Sequence, residues 1–224
     1  GLYQFSPNWY AGIRYWWDDY KIPRRDSAGL LIENTVTGHS GGVISGGGPL
    51  LTYDSRDHIF FPSKGLFIET EFYINKKYFG SDFNFTRFSL DAKAYISDNR
   101  KGVWALNVYL VSLSGKPPFQ QLALLGGAKR MRGYFEGRYR DRNLWMFQAE
   151  YRFPLYRRTG GVAFGGVGNV SPSVQTLFSQ KVHLTFGAGV RILLAEKDHI
   201  NLRFDVGANE QGEVFPYLTV AEAF

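Results

Sequence analysis

The sequence predicts an all-β protein, an antiparallel transmembrane β-barrel with about ten strands in this chain. Three observations carry that expectation. Apolar and polar residues alternate with a period of two in segment after segment, as in a strand with two unlike faces. The polar faces hold full charges in mid-strand, which suits a wet lumen. The connections are unequal, some short and some long, which is the pattern of outer-membrane barrels.

Alternation begins weakly at Trp9–Asp19 and Ser45–Asp54 and sharpens further on. In Phe67–Ile74 one face is Ile68, Thr70, Phe72 and Ile74, and the other carries Glu69 and Glu71. Phe85–Ser97 sets Phe88, Leu90 and Ile96 against Arg87, Asp91 and Lys93. Trp104–Leu110 has an apolar face of Trp104, Leu106, Val108 and Leu110. Trp145–Phe153 opposes Trp145, Phe147, Ala149, Tyr151 and Phe153 to Met146, Gln148, Glu150 and Arg152. Gly161–Val170 is Gly-rich and weaker. Val182–Ile192 opposes Val182, Leu184, Phe186, Ala188, Val190 and Ile192 to His183, Thr185, Gly187, Gly189 and Arg191. Ile200–Gly207 opposes Ile200, Leu202, Phe204 and Val206 to Asn201, Arg203, Asp205 and Gly207, and Val214–Phe224 closes the series. Strands of about 9–11 residues are long enough to cross the hydrocarbon layer when tilted. Trp9, Trp16, Trp17, Trp104, Trp145 and Phe224, near strand ends, suit interfacial aromatic girdles. Of the connections, Ala195–His199 and Ala208–Glu213 are short, and Lys21–Gly42 and Ser114–Asn143 are long. The short turns are expected at one end and the long loops at the other.

Composition agrees. The chain has 224 residues, enough for one barrel domain over 1–224, and no linker divides it. Mean hydropathy is −0.23, and no apolar run approaches the roughly 18 residues of a membrane helix. A barrel escapes that test because its apolar residues stand at alternate positions. The absence of Cys excludes disulfides, zinc–thiolate sites and a Cys nucleophile. The net charge of +6 suits nucleic acid, anionic lipid or lipopolysaccharide. Residues 1–20 lack a signal-peptide pattern, and the start at Gly1 reads as a processed chain or a fragment.

The stretch Lys129–Arg142, KRMRGYFEGRYRDR, carries six basic residues interleaved with Tyr134, Phe135 and Tyr139. Alone it resembles a nucleic-acid patch. Between period-two strands it reads instead as a barrel loop at about 114–142, and no nucleic-acid partner is expected. Gly38-His39-Ser40-Gly41-Gly42 spells a nucleophile elbow but precedes a strand, where the elbow needs a helix. His39, His58, His183 and His199 lack metal-ligand spacing, and Asp18-Asp19 and Asp54/Asp57 read as loop or lumen charges. No catalytic residue, metal or cofactor is expected.

Four motifs, in order along residues 51–224, resemble the BamA/TamA superfamily of bacterial outer-membrane proteins, the surface antigen family. They are LTYDSRDHIFFPSKG at Leu51–Gly65, with Asp54, Arg56, Asp57, Lys64 and Gly65 as its strand-end turn; MRGYFEGRYRDRN, with Arg132-Gly133-Tyr134; AEYRFPL at Ala149–Leu155; and Val190–Phe224, with RFDVG and the ending YLTVAEAF. The resemblance implies a loop folded into the lumen, followed by five strands, which fit 143–153, 159–169, 181–194, 199–208 and 213–223. It implies that Arg132 staples the loop to a wall carboxylate. Gly166 stands where many members carry Asp, so Glu150 is the carboxylate expected to answer Arg132, with Tyr134 packed on wall glycines such as Gly166 or Gly187. Tyr217 and Phe224 match a C-terminal assembly signal. The family barrel is sixteen-stranded, so ten strands imply part of a barrel, a small barrel, or one closed with a partner chain. Pro216 removes an amide donor from the last strand, either weakening a seam or sitting where no partner pairs.

The implied function is insertion, assembly or translocation of other outer-membrane proteins, by a non-enzyme in the bacterial outer membrane. Its partners would be membrane lipid, lipopolysaccharide and client proteins, with an oligomer left open. The alternative is a passive pore, or an anchoring barrel for a fused or associated enzyme such as a patatin-type lipase.

Overall fold

The computed structural model describes residues 1–23, 36–99, 101–195 and 200–224. Among them, eleven strands form one antiparallel sheet in chain order: β1 (Leu2–Ser6), β2 (Trp9–Lys21), β3 (Gly41–Asp54), β4 (Gly65–Asn75), β5 (Phe85–Ser97), β6 (Val103–Gly115), β9 (Asn143–Tyr156), β10 (Thr159–Ser171), β11 (His183–Ala195), β12 (Ile200–Asn209) and β13 (Val214–Val220). A separate hairpin, β7 (Ala123–Leu125) with β8 (Tyr139–Asp141), lies in the long connection after β6.

About ten strands were expected, and the described residues form eleven in the sheet. The added strand is β1, joined to β2 through Pro7–Asn8, with Asn8 in the left-handed region at φ 66°. Pro and Asn suit such a tight turn. All five β1 residues are exposed, so no buried face marks this strand in the sequence.

Burial inverts the order of a soluble protein. On β12, Phe204 and Val206 are exposed, whereas Asn201, Arg203, Asp205 and Asn209 are buried. On β11, Leu184, Phe186, Val190 and Ile192 are exposed, and His183, Thr185 and Arg191 are buried. An outer surface of apolar side chains is stable against lipid, and the inner polar face is stable only where its groups are paired. The sheet curls around the connection after β6. Ile44 of β3, Tyr109 and Val111 of β6 and Leu144 and Met146 of β9 cluster with Leu125, Met131 and Tyr134 of that connection.

A meander alternates its connections between two ends. One end carries 7–8, 55–64 and 157–158 and is where β5 leads to β6 and β11 to β12; the other carries 76–84, 116–142, 172–182 and 210–213 and is where β2 leads to β3. The connection at 210–213 is short but lies with the long ones, because adjacent hairpins must turn at opposite ends. The expectation that both short turns share an end is thereby corrected. Residues 24–35, part of the first long loop, and 196–199, including His199, lie outside the described residues. Trp9 and Trp104 lie toward the short-connection end, Trp17 and Trp145 toward the other. Trp16 and Phe224 leave the proposed girdles: Trp16 lines the lumen, and Phe224 packs inward on Tyr95, Val103 and Ala105.

Candidate functional site

The connection between β6 and β9 enters the lumen and meets the inner faces of β9 to β13. Its centre is Arg132, 1% exposed. Nη1 donates to Asp205 Oδ2 at 2.5 Å, Nη2 donates to Glu150 Oε2, and the guanidinium lies 3.6 Å from the centre of the Phe164 ring. Both carboxylates are fully buried. Arg132 therefore reaches from β9, across Phe164 of β10, to β12. Glycines on the intervening strand leave room: a Cβ at Gly189 would overlap Asp205 Oδ1, and one at Gly187 would overlap the Phe164 ring.

The expectation that Glu150 alone answers Arg132 is corrected. Asp205, in the RFDVG motif, is a second partner. A mid-strand Asp on an inward face was the available signal, but pairing across two intervening strands is invisible to a one-strand pattern. Gly166 instead accommodates Met131, whose Sδ lies 2.8 Å from where a Cβ would stand.

The two carboxylates have further partners. Arg152 Nε donates to Glu150 Oε1 at 2.7 Å, and Arg191 Nη1 donates to Asp205 Oδ1 at 2.5 Å. Arg191 Nε also donates to Glu222 Oε2 at 2.8 Å, and Arg203 Nε lies 3.3 Å from Asp205 Oδ2. Four guanidiniums thus share three carboxylates inside the wall. Buried charges are tolerable only when paired in this way.

The loop backbone is stitched to the wall on both sides of Arg132. Met131 N donates to Gln148 Oε1 at 3.2 Å, and Gln148 Nε2 donates to Lys129 O at 2.9 Å. Arg203 Nη2 donates to Ala128 O at 2.8 Å, and Asn209 Nδ2 to Gly133 O at 3.0 Å. Gly133 N donates to Tyr217 Oη at 2.9 Å, and that hydroxyl donates to Tyr134 O at 2.8 Å. Gly133 has φ 125°, and a Cβ there would stand 2.5 Å from Ala208 O. Backbone conformation and close approach together require glycine. On the wall, a Cβ at Gly207 would stand 2.7 Å from Arg132 C.

Tyr134 does not lie on Gly166 or Gly187. Its ring meets Tyr139 and His183 edge-on, and its hydroxyl donates to Glu210 in the 210–213 turn. Glu210 also accepts from Leu184 N at 3.1 Å and lies 3.0 Å from His183 Nδ1, while Tyr139 stacks on the imidazole at 3.7 Å. Burial disfavours the Glu210 charge, but the Tyr134 and His183 hydrogen bonds outweigh it and hold the carboxyl at about 2. Burial and the same carboxylate push the Tyr134 hydroxyl far above its ordinary value.

The remaining motif residues divide between two places. Asp54, Arg56, Asp57, Lys64 and Gly65 organise the connection 55–64 at the opposite end from the loop's entry. Arg56 binds Asp54 through Nε at 2.9 Å and Nη2 at 2.7 Å. Asp57 Oδ1 accepts from Ser63 N at 2.9 Å and Lys64 N at 3.2 Å, and Gly65 turns at φ 107°. These groups close a turn and do not meet Arg132. Tyr217 and Phe224 both face the lumen. Ala221 N donates to Asn201 O at 2.8 Å, Glu222 enters the ion network, and Phe224 O accepts from Arg152 Nη2 at 2.9 Å. Beside the loop is a cavity of about 750 Å³ bordered by Arg14, Tyr73, Arg87, Tyr109 and Arg130. The Gly38–Gly42 segment leads straight into β3.

A family model described as the Omp85 superfamily domain matches residues 4–213. Among solved structures, BamA from Haemophilus ducreyi lacking POTRA domains 1–3 is similar, with a TM-score of 0.71 at 15% identity. That likeness covers 97% of this chain and 52% of the other, so the chain spans about half the length of that relative. No curated protein matches.

Proposed function

The chain belongs to the Omp85 superfamily, whose fold here is that of a bacterial outer-membrane β-barrel, and from that membership we propose that it inserts and assembles, or translocates, other outer-membrane proteins. On this reading residues 1–224 form one barrel domain, and the segment at about 114–142 is its lumen loop. The observation that carries the proposal is Arg132, buried between Glu150 and Asp205. A loop held this way braces β9 to β12 from inside, leaving β13 as a sheet edge whose backbone a client strand can join. The role is non-catalytic and needs no cofactor. Its partners are membrane lipid, lipopolysaccharide at the long-connection end, and client barrel proteins. Tyr217 and Phe224 serve as an assembly signal before the tail folds inward.

The second reading is a passive pore or an anchoring barrel, favoured by the lumen cavity of about 750 Å³. Reconstituted full chain separates the two. Faster folding of a denatured client barrel in liposomes, with little conductance across a planar bilayer, is expected. Steady conductance without client folding would replace the proposal with the pore.

A further inference from the structure

The short-connection end holds a second pocket, of about 220 Å³, between the 157–158 turn and the inner ends of β9 to β12. Lys101, Arg152, Arg157, Arg158 and Arg191 line it, and no carboxylate among the described residues does. Phe61, Phe153 and Leu193 add an apolar wall. Two of the cations are built in, since Arg152 and Arg191 are 3% and 4% exposed. Glu150, Glu222 and the Phe224 O atom engage them from the lumen side, while Lys101 and Arg157 are exposed at the pocket's rim. Five cations around one pocket favour an anionic ligand, and phosphate offers several oxygens to such a cluster.

The pocket's surroundings indicate the source of that phosphate. Pro154, Leu155 and Tyr156 are exposed beside it, and Trp104 and Tyr151 pack together at the same end of β6 and β9. Aromatic residues at strand ends mark the head-group level of a barrel. We infer that this pocket binds the phosphate head group of an anionic glycerophospholipid in the leaflet at the short-connection end. This inference rests on the membrane-spanning reading of the strands and not on the insertion role.

Native mass spectrometry of the full chain released from neutral detergent tests it. Phosphatidylglycerol, uncharged diacylglycerol and inorganic phosphate are added in separate titrations. Phosphatidylglycerol should be retained where diacylglycerol is not. The exposed pair Lys101→Glu/Arg157→Glu should weaken retention at least about tenfold. Lys77→Glu/Lys116→Glu, with the same change in charge at the other end, should leave it unchanged. Heat-modifiable gel migration verifies that each variant is folded. Equal weakening by both pairs, or no retention, overturns the site. Inorganic phosphate bound as tightly as phosphatidylglycerol overturns the lipid assignment.

Discussion

At the scale of single residues, Arg132 has more consequence than its neighbours because it is the loop's own contribution to a buried ion network. Arg130, by contrast, lies over the Tyr109 ring at 3.6 Å beside the lumen cavity. Arg132→Ala leaves Glu150 and Asp205 to Arg152, Arg191 and Arg203, and removes the link to the loop. Breaking a buried pair from one side costs about 3–5 kcal/mol, a range that the remaining arginines reduce. The variant should show protease cleavage within 114–142 and a lower yield of folded barrel. Arg132→Lys should restore little, since an ammonium lacks the planar fork that here bridges two carboxylates. An unchanged digestion pattern for Arg132→Ala would remove the staple from the proposed mechanism.

At the scale of elements, the loop is held in two places by different chemistry. Arg132 is gripped by strands, whereas Tyr134 is gripped by the 210–213 turn through Glu210. The Glu210 carboxyl is held at about 2, below its unfolded value of about 4.3. Its contribution is therefore present above about pH 4.3 and is lost as pH falls through the folded value. The stability difference between the parent and Glu210→Gln should be present at neutral pH and shrink as pH falls from about 4.5 toward about 2. Urea unfolding across that range measures it. A difference that vanished near neutral pH would mean that the carboxylate does not anchor the loop.

At the scale of the whole molecule, the inverted burial assigns lipid to the outside and paired charge to the inside. Phe204, 48% exposed in the middle of β12, tests the outer face. Phe204→Arg should destabilise the folded barrel by about 2–4 kcal/mol in a bilayer, as a charge at the midplane does. Urea titration in liposomes reads that loss. A solvent-facing sheet would tolerate the same substitution within about 0.5 kcal/mol.

The strands were legible because the two-residue period is a local property, visible wherever one face meets lipid and the other a polar lumen. The edge strand β1 was not, because its exposed residues leave no contrast between faces, and neither was the hairpin β7–β8, three residues per strand inside a basic loop. At the site, Glu150 stood out as a mid-strand carboxylate, and Asp205 was already on an inward face. That both reach one guanidinium across β10 and β11 depends on the curl of the sheet and on Gly187 and Gly189 leaving space. The sequence by itself determined an alternating, lipid-facing sheet with a charged inner face, since side-chain direction in a strand follows from position alone. Only the tertiary structure decided which charges meet, that Met131 occupies the space over Gly166, and that Phe224 turns inward. Those pairings join residues far apart in the chain, and their distances are set by register and curvature.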